Sequence, residues 1–172
     1  MPSPAIDAES IIATLNRHSV RYVVVGGFAI ELWDVAVPPT QDIDVTPETS
    51  RVNLRALSAA LNELGAKLRI SGSDPVAIPG GISAELIGQV DMLNLATDAG
   101  PLDLTIMPQG TSGYGSLVRN ATDLELNGLL VPTAALEDIL ESKEAAGREK
   151  DFKTIPAIRA HLDSQRRRRG SG

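Results

Sequence analysis

The chain has 172 residues, of which 42% are hydrophobic, and carries a net charge of -6 with no cysteine. That length suits one domain with a single core burying about two thirds of the unfolded surface. The missing cysteines exclude disulfides, thiol catalysis and thiolate metal sites, and the two histidines, His18 and His161, lie far apart in sequence, so a bound metal would have to be oxygen-ligated, which favours magnesium. The acidic balance argues against non-specific coating of nucleic acid, yet the charge is uneven. Residues 143–172 hold 9 basic and 4 acidic side chains, whereas residues 1–142 hold 7 and 18. No run approaches the roughly 18 to 20 apolar residues of a membrane span, and MPSPAIDAES lacks the order of a signal peptide. A cytoplasmic protein without membrane association is expected.

In chain order, Ile6, Ile11, Ile12 and Leu15 are spaced for a helix running to about His18, with Pro4 suited to its first turn. Tyr22 to Val25 reads as a strand buried on both faces, ended by Gly26-Gly27. A short helix over Phe28 to Trp33 follows, Pro38-Pro39 break it, and Asp42 to Thr46 is a second strand. Val52, Leu57, Leu61 and Leu64 predict a helix stopped at Gly65. Residues 71–84 read as a loop, and 91–97 and 102–107 as a hairpin turning at Asp98-Ala99-Gly100-Pro101. GTSGYGS at 110–116 reads as a loop and LELNGLLV at 124–131 as a small hairpin around Asn127-Gly128.

A helix capped by Thr133 and stopped by Gly147 comes next, then a last helix over about 154–165. Residues 166–172 read as a disordered basic tail whose Gly-Ser-Gly end resembles a cloning remnant, so that 1–165 form the domain. Four adjacent arginines could also add sequence-independent affinity for RNA. The expected fold class is α/β, or α+β, with a mixed, mostly antiparallel sheet flanked by helices.

The chemistry concentrates in the acids. Residues two apart on a strand point the same way, so Asp42 and Asp44 share a face, with Ile43 and Val45 on the other. Such carboxylates repel each other unless a cation lies between them. Asp103 repeats the alternation within Leu102, Leu104 and Ile106, and if the two strands are neighbours three carboxylates converge. That is a ligand set for magnesium in displacement at phosphorus. Lys143 lies on the apolar stripe set by Leu136, Ile139 and Leu140, where a lysine either snorkels outward or meets an anion. Gly26-Gly27, between a strand and a helix, would let phosphate oxygens approach backbone N–H groups. Taken singly, each feature has a plainer reading: a tight turn, a solvated charged edge, a snorkelling lysine.

Together, in the order GG, T-x-D-x-D, L-D-L and S-K-x3-G-R-x-K-D, they resemble the polymerase-beta-like nucleotidyltransferase superfamily, and more narrowly the AbiEii/MenT-type toxins of toxin-antitoxin systems, over about Tyr22 to Leu162. The resemblance implies that fold, a nucleotide-binding turn at Gly26 and Gly27, metal ligands Asp42, Asp44 and Asp103, and triphosphate contact by Lys143. Arg148 and Asp151 match the C-terminal motif, Arg148 as a nucleotide contact and Asp151 as the acid that orients Lys143 or Arg148 in the catalytic set. Wider superfamily members carry Gly-Ser where Gly27 stands here, and Thr40 is the nearest candidate to supply the lost hydroxyl. A phosphate on Thr40 would crowd the metal ligands and compete with an incoming NTP, a step open to a kinase-like antitoxin partner. The expected activity is Mg2+-dependent transfer of nucleotides from NTP to a tRNA 3′ end, blocking translation, by a monomer. A silent nucleotide-binding module, or transfer to a small molecule or protein, are the alternatives.

Overall fold

The computed structural model describes residues 6–171; the expected role of Pro4 lies outside them. Helix α1 (Ala8–Arg17) starts where the Asp7 carboxylate accepts a hydrogen bond from the Ser10 backbone N–H at 3.1 Å. Its inward stripe, Ile11, Ile12 and Leu15, is wholly buried, each side chain stabilising the fold by about 1.5–3 kcal/mol. Strand β1 (Tyr22–Val25) is buried along its full length. Helix α2 (Gly26–Leu32) begins directly at its end, and β2 (Ile43–Pro47) returns antiparallel beside it. Asp42 lies on a bend just before β2 and is not part of the strand.

Helix α3 (Arg51–Glu63), the two-residue β3 (Lys67–Leu68) and a short α4 (Ala84–Ile87) form the crossover to the hairpin of β4 (Met92–Thr97) and β5 (Gly100–Thr105). Helix α5 (Tyr114–Asn120), the hairpin β6 (Thr122–Leu126) and β7 (Leu129–Thr133), then α6 (Leu136–Ala146) and α7 (Thr154–Gly170) complete the chain. The seven strands form one sheet in the order β3-β4-β5-β2-β1-β7-β6. Two pairs, β1 with β7 and β2 with β5, are parallel, and the rest are antiparallel. The mixed, mostly antiparallel sheet with flanking helices is as the sequence predicts.

Four further local readings change. Pro132-Thr133 end β7 and do not cap a helix: Thr133 is fully buried, faces Val24 of β1 and donates its hydroxyl to the Val131 carbonyl at 2.8 Å. Pairing with a fully buried central strand outweighs a cap, and α6 starts at Leu136 without one. Within 110–116 the loop ends at Gly113, where α5 starts. The hairpin turn is tighter than predicted, with β5 beginning at Gly100, whose φ of 115° only glycine adopts freely. The arginines 166–169 continue α7 and are not a disordered tail, because no proline or glycine falls between Pro156 in the first turn and Gly170, and good helix formers let the helix run on.

Asn53 locks the end of the sheet opposite the acids. This buried side chain accepts from the Arg21 N–H at 2.7 Å and donates to the carbonyls of Arg21 and Glu48 at 2.9 and 2.7 Å, tying α3 to the start of β1 and the end of β2. Replacing it strands the Arg21 N–H and the Glu48 carbonyl, while the Arg21 carbonyl keeps the Glu48 N–H at 3.1 Å. Asn53→Ala is expected to lower the unfolding free energy by about 2–4 kcal/mol in urea titrations, against less than about 0.5 for an exposed control such as Glu125→Ala.

Candidate active site

The parallel pairing of β2 with β5 sets Asp44 directly opposite Asp103. The residues that alternate with them, Ile43, Val45, Leu102 and Leu104, are fully buried on the other side of the sheet. Asp42 reaches the same place from the bend before β2, and carboxylate oxygens of the three acids all lie within 4.8 Å of one another. Convergence of Asp42, Asp44 and Asp103 is thus a consequence of strand register and of the apolar alternation that fixes it.

The electrostatic cost is visible in the titration of the group at the centre. The Asp44 carboxyl is pushed up to about 7, first by burial, then by the negative charges of Asp42 and Asp103. The charge of Lys150 pulls the other way. Asp103 is also raised, chiefly by burial, with Asp42 adding to the effect and the hydrogen bond and charge of Arg69 opposing it. An all-oxygen, acidic, partly buried donor set of this kind suits a hard divalent cation, and Mg2+ meets that description.

Beside the acids, Gly26 has a φ of +69°, and any Cβ there would collide with the Asp44 carboxylate. Gly27 is bounded differently: its Cβ would stand 3.1 Å from both Cβ and Oγ1 of Thr40. The Thr40 hydroxyl therefore occupies the ground that a side chain at position 27 would fill, and it is 3.1 Å from both the carbonyl oxygen and the Oδ1 of Asp42, able to donate to either. The Thr40 N–H is held by the Glu31 carboxylate from α2.

Lys143 and Arg148 make their hydrogen bonds with Asp151 and none with the three acids. Lys143 Nζ is 2.8 Å from Oδ1 and Arg148 Nε is 2.9 Å from Oδ2 of Asp151, whose carboxylate is fully buried. Burial alone would raise the Asp151 pKa, but the two cations, through hydrogen bonds and charge, hold it below the usual carboxylate range. The turn they brace is a 3-10 helix, Glu149–Phe152, and it carries Lys150, the cation whose field reaches Asp44. Gly147, in the left-handed conformation at a φ of 59°, lets the chain leave α6 for this turn. Helix α6 also packs on α2, and the indole of Trp33 at the end of α2 donates to the Ala134 carbonyl at 2.8 Å, just before α6.

Two residues at the site escape helical or strand periodicity. Lys150 is legible only through its place in R-x-K-D. Arg69, which pairs with the Asp103 carboxylate, follows a two-residue strand that no local pattern announces. A separate polar hollow of about 350 Å³, lined by Thr111, Ser112, Arg119, Asp138 and Glu141 among others, contains none of the three acids.

No family model matches the sequence, and no curated protein does. Solved structures do resemble it. The lincosamide antibiotic adenylyltransferase LnuA, with lincomycin bound, aligns over 91% of this chain and 98% of its own at 14% identity and a TM-score of 0.60. ANT(2″)-Ia in complex with adenylyl-2″-tobramycin covers 92% and 89% at 16% identity, TM-score 0.59. TM1012 of Thermotoga maritima, described as a candidate nucleotidyltransferase, covers 91% of both chains at 17% identity, TM-score 0.56. The chain has the nucleotidyltransferase fold.

The folded Asp44 value near 7 lies above the ordinary 3.8, so ionising this group costs the folded state progressively as pH rises through about 4 to 7. Asp44→Asn removes that cost. Without metal, the variant is expected to melt about 4 °C above the wild type at pH 8 and level with it near pH 4. A melting difference that does not change with pH would contradict this.

Proposed function

We propose that the chain is a Mg2+-dependent nucleotidyltransferase that moves a nucleotide from an NTP to an acceptor hydroxyl, acting as the toxin of a toxin-antitoxin pair on the 3′ end of tRNA. One observation carries the reading: three carboxylates, two on adjoining strands and one on the bend before β2, crowd within 4.8 Å in a nucleotidyltransferase fold, beside a glycine that cannot bear a side chain. Two of the structural neighbours, ANT(2″)-Ia and LnuA, are described with adenylyl-2″-tobramycin and lincomycin bound, which supports nucleotidyl transfer as the reaction and leaves the acceptor as the open variable. The AbiEii/MenT motif order and the nine basic residues after position 142 favour RNA over an antibiotic.

Asp42, Asp44 and Asp103 would hold the magnesium, which when bound supplies charge compensation for the triphosphate and the developing transition state. The backbone at Gly26 and Gly27, with the Thr40 hydroxyl, seats the phosphates. Lys150, and Lys143 where it turns from Asp151, offset the remaining negative charge. Arg148 and Asp151 hold the Glu149–Phe152 turn in place. In the transfer, the acceptor oxygen bonds to the α-phosphorus, the bond from that phosphorus to the bridging oxygen breaks, and pyrophosphate leaves. The acceptor proton passes to Asp103 and on to water. Most of the rate comes from positioning and charge, as phosphoryl transfer generally allows.

Incubating the protein with each α-labelled NTP, Mg2+ and total tRNA is the direct assay. Label is expected in RNA, and Asp42→Ala is expected to reduce its incorporation by at least about 1,000-fold while melting no lower than the wild type, since it relieves repulsion on Asp44. Nucleotide binding in calorimetry with no label transfer would favour the silent module. Thr40→Glu places a negative charge beside Asp42 and Asp44, mimicking phosphorylation by an antitoxin kinase, and is expected to raise the KM for NTP by about 10-fold or more. Normal turnover by that variant would end the phosphorylation reading.

A further inference from the structure

The strand registers place one straight row of side chains on the acidic face of the sheet. Val25 of β1 faces Asp44 of β2, Asp44 faces Asp103 of β5, and Asp103 faces Asn94 of β4. The row continues one strand further. Leu68 faces Leu95, and the next residue, Arg69, donates its backbone N–H to the Asn94 carbonyl at 2.9 Å. Neighbouring strands are about 4.8 Å apart, so the Arg69 side chain spans roughly 10 Å over the exposed Asn94 to reach the Asp103 carboxylate.

This order has a direction. Gly26 and Gly27 adjoin Val25 at one end, where the phosphates of the donor are seated in the reading above. In-line displacement puts the leaving pyrophosphate and the attacking hydroxyl on opposite sides of the α-phosphorus. The hydroxyl therefore arrives from the Asp103, Asn94 and Arg69 end. What waits there is a cation with spare capacity. Of five guanidinium N–H donors, an Nη2 donor meets Asp103, Nε is buried without a partner among the described residues, and the side chain as a whole is 37% exposed. Asn94 adds an exposed amide between the two.

We propose that Arg69 and Asn94 form the acceptor seat, and that Arg69 selects an acceptor carrying a phosphate next to its reacting hydroxyl, as a nucleic-acid 3′ end does. The inference rests on the nucleotidyltransferase reading and sharpens it. A guanidinium at this position attracts a phosphodiester and repels a polycation such as tobramycin. It also keeps the Asp103 carboxylate turned toward the incoming hydroxyl, a positioning role alongside recognition.

The test compares acceptors that differ by that phosphate: the dinucleotide CpA, adenosine, and tobramycin, each with α-labelled NTP and Mg2+. Wild type is expected to use CpA with a kcat/KM at least about 10-fold above adenosine and to leave tobramycin unlabelled. Arg69→Gln should cut kcat/KM for CpA by about 10- to 100-fold, nearly to the adenosine level, through the acceptor KM and without a matching rise in the NTP KM. Arg69→Lys keeps the charge and should restore part of the preference, which separates recognition from a fault in folding. Equal use of CpA and adenosine by the wild type, or an unchanged preference in Arg69→Gln, would overturn the proposal. Transfer to none of these acceptors, nor to total tRNA, would instead defeat the nucleotidyltransferase reading itself.

Discussion

Electrostatic repulsion among Asp42, Asp44 and Asp103 is the constraint around which the molecule is arranged. Partly buried carboxylates a few ångströms apart oppose folding, and the chain tolerates them because hydrophobic side chains on the other side of β2 and β5 hold the register. Ile43, Val45, Leu102 and Leu104 cannot leave the core, so Asp44 and Asp103 between them cannot separate, and Asp42 is tethered next to Ile43. The surroundings then answer the charge in kind: Arg69 pairs with Asp103, the field of Lys150 reaches Asp44, and glycine stands where a Cβ would strike the Asp44 carboxylate.

The cations are themselves held by a second tier. Asp151 is a buried carboxylate with two cationic partners, so its charge is compensated where that of Asp44 is not. The contrast sorts the acids of this protein into two kinds. Asp151 is satisfied by its neighbours and braces a turn; the cluster at β2 and β5 is left with excess negative charge, and such an excess is what a functional centre for cations and phosphates requires.

Much of this was legible in the residues. Alternation around Asp44 and Asp103 assigns both acids to one side of their strands, the glycines after Val25 mark a break in side-chain bulk, and Gly147 stops a helix as its left-handed conformation demands. The rest depended on tertiary pairing. Thr133 looks like a helix cap until β1 claims it as a strand partner. Helical spacing points to Lys143, yet the cation whose charge reaches Asp44 comes from a single 3-10 turn with no period to read. Arg69 is beyond local inference altogether, since its role follows from a pairing of only two residues and a reach across a neighbouring strand.

The parallel alignment of β2 with β5 also bears on how the protein is made. Parallel neighbours need a crossover, and here it includes α3, β3, α4 and β4 before β5 can dock beside β2. Contacts so distant along the chain form slowly and late. A polypeptide still emerging from the ribosome, with β5 unmade, has only two of the three acids, so the cluster cannot assemble before that strand is synthesised and the sheet has closed around it.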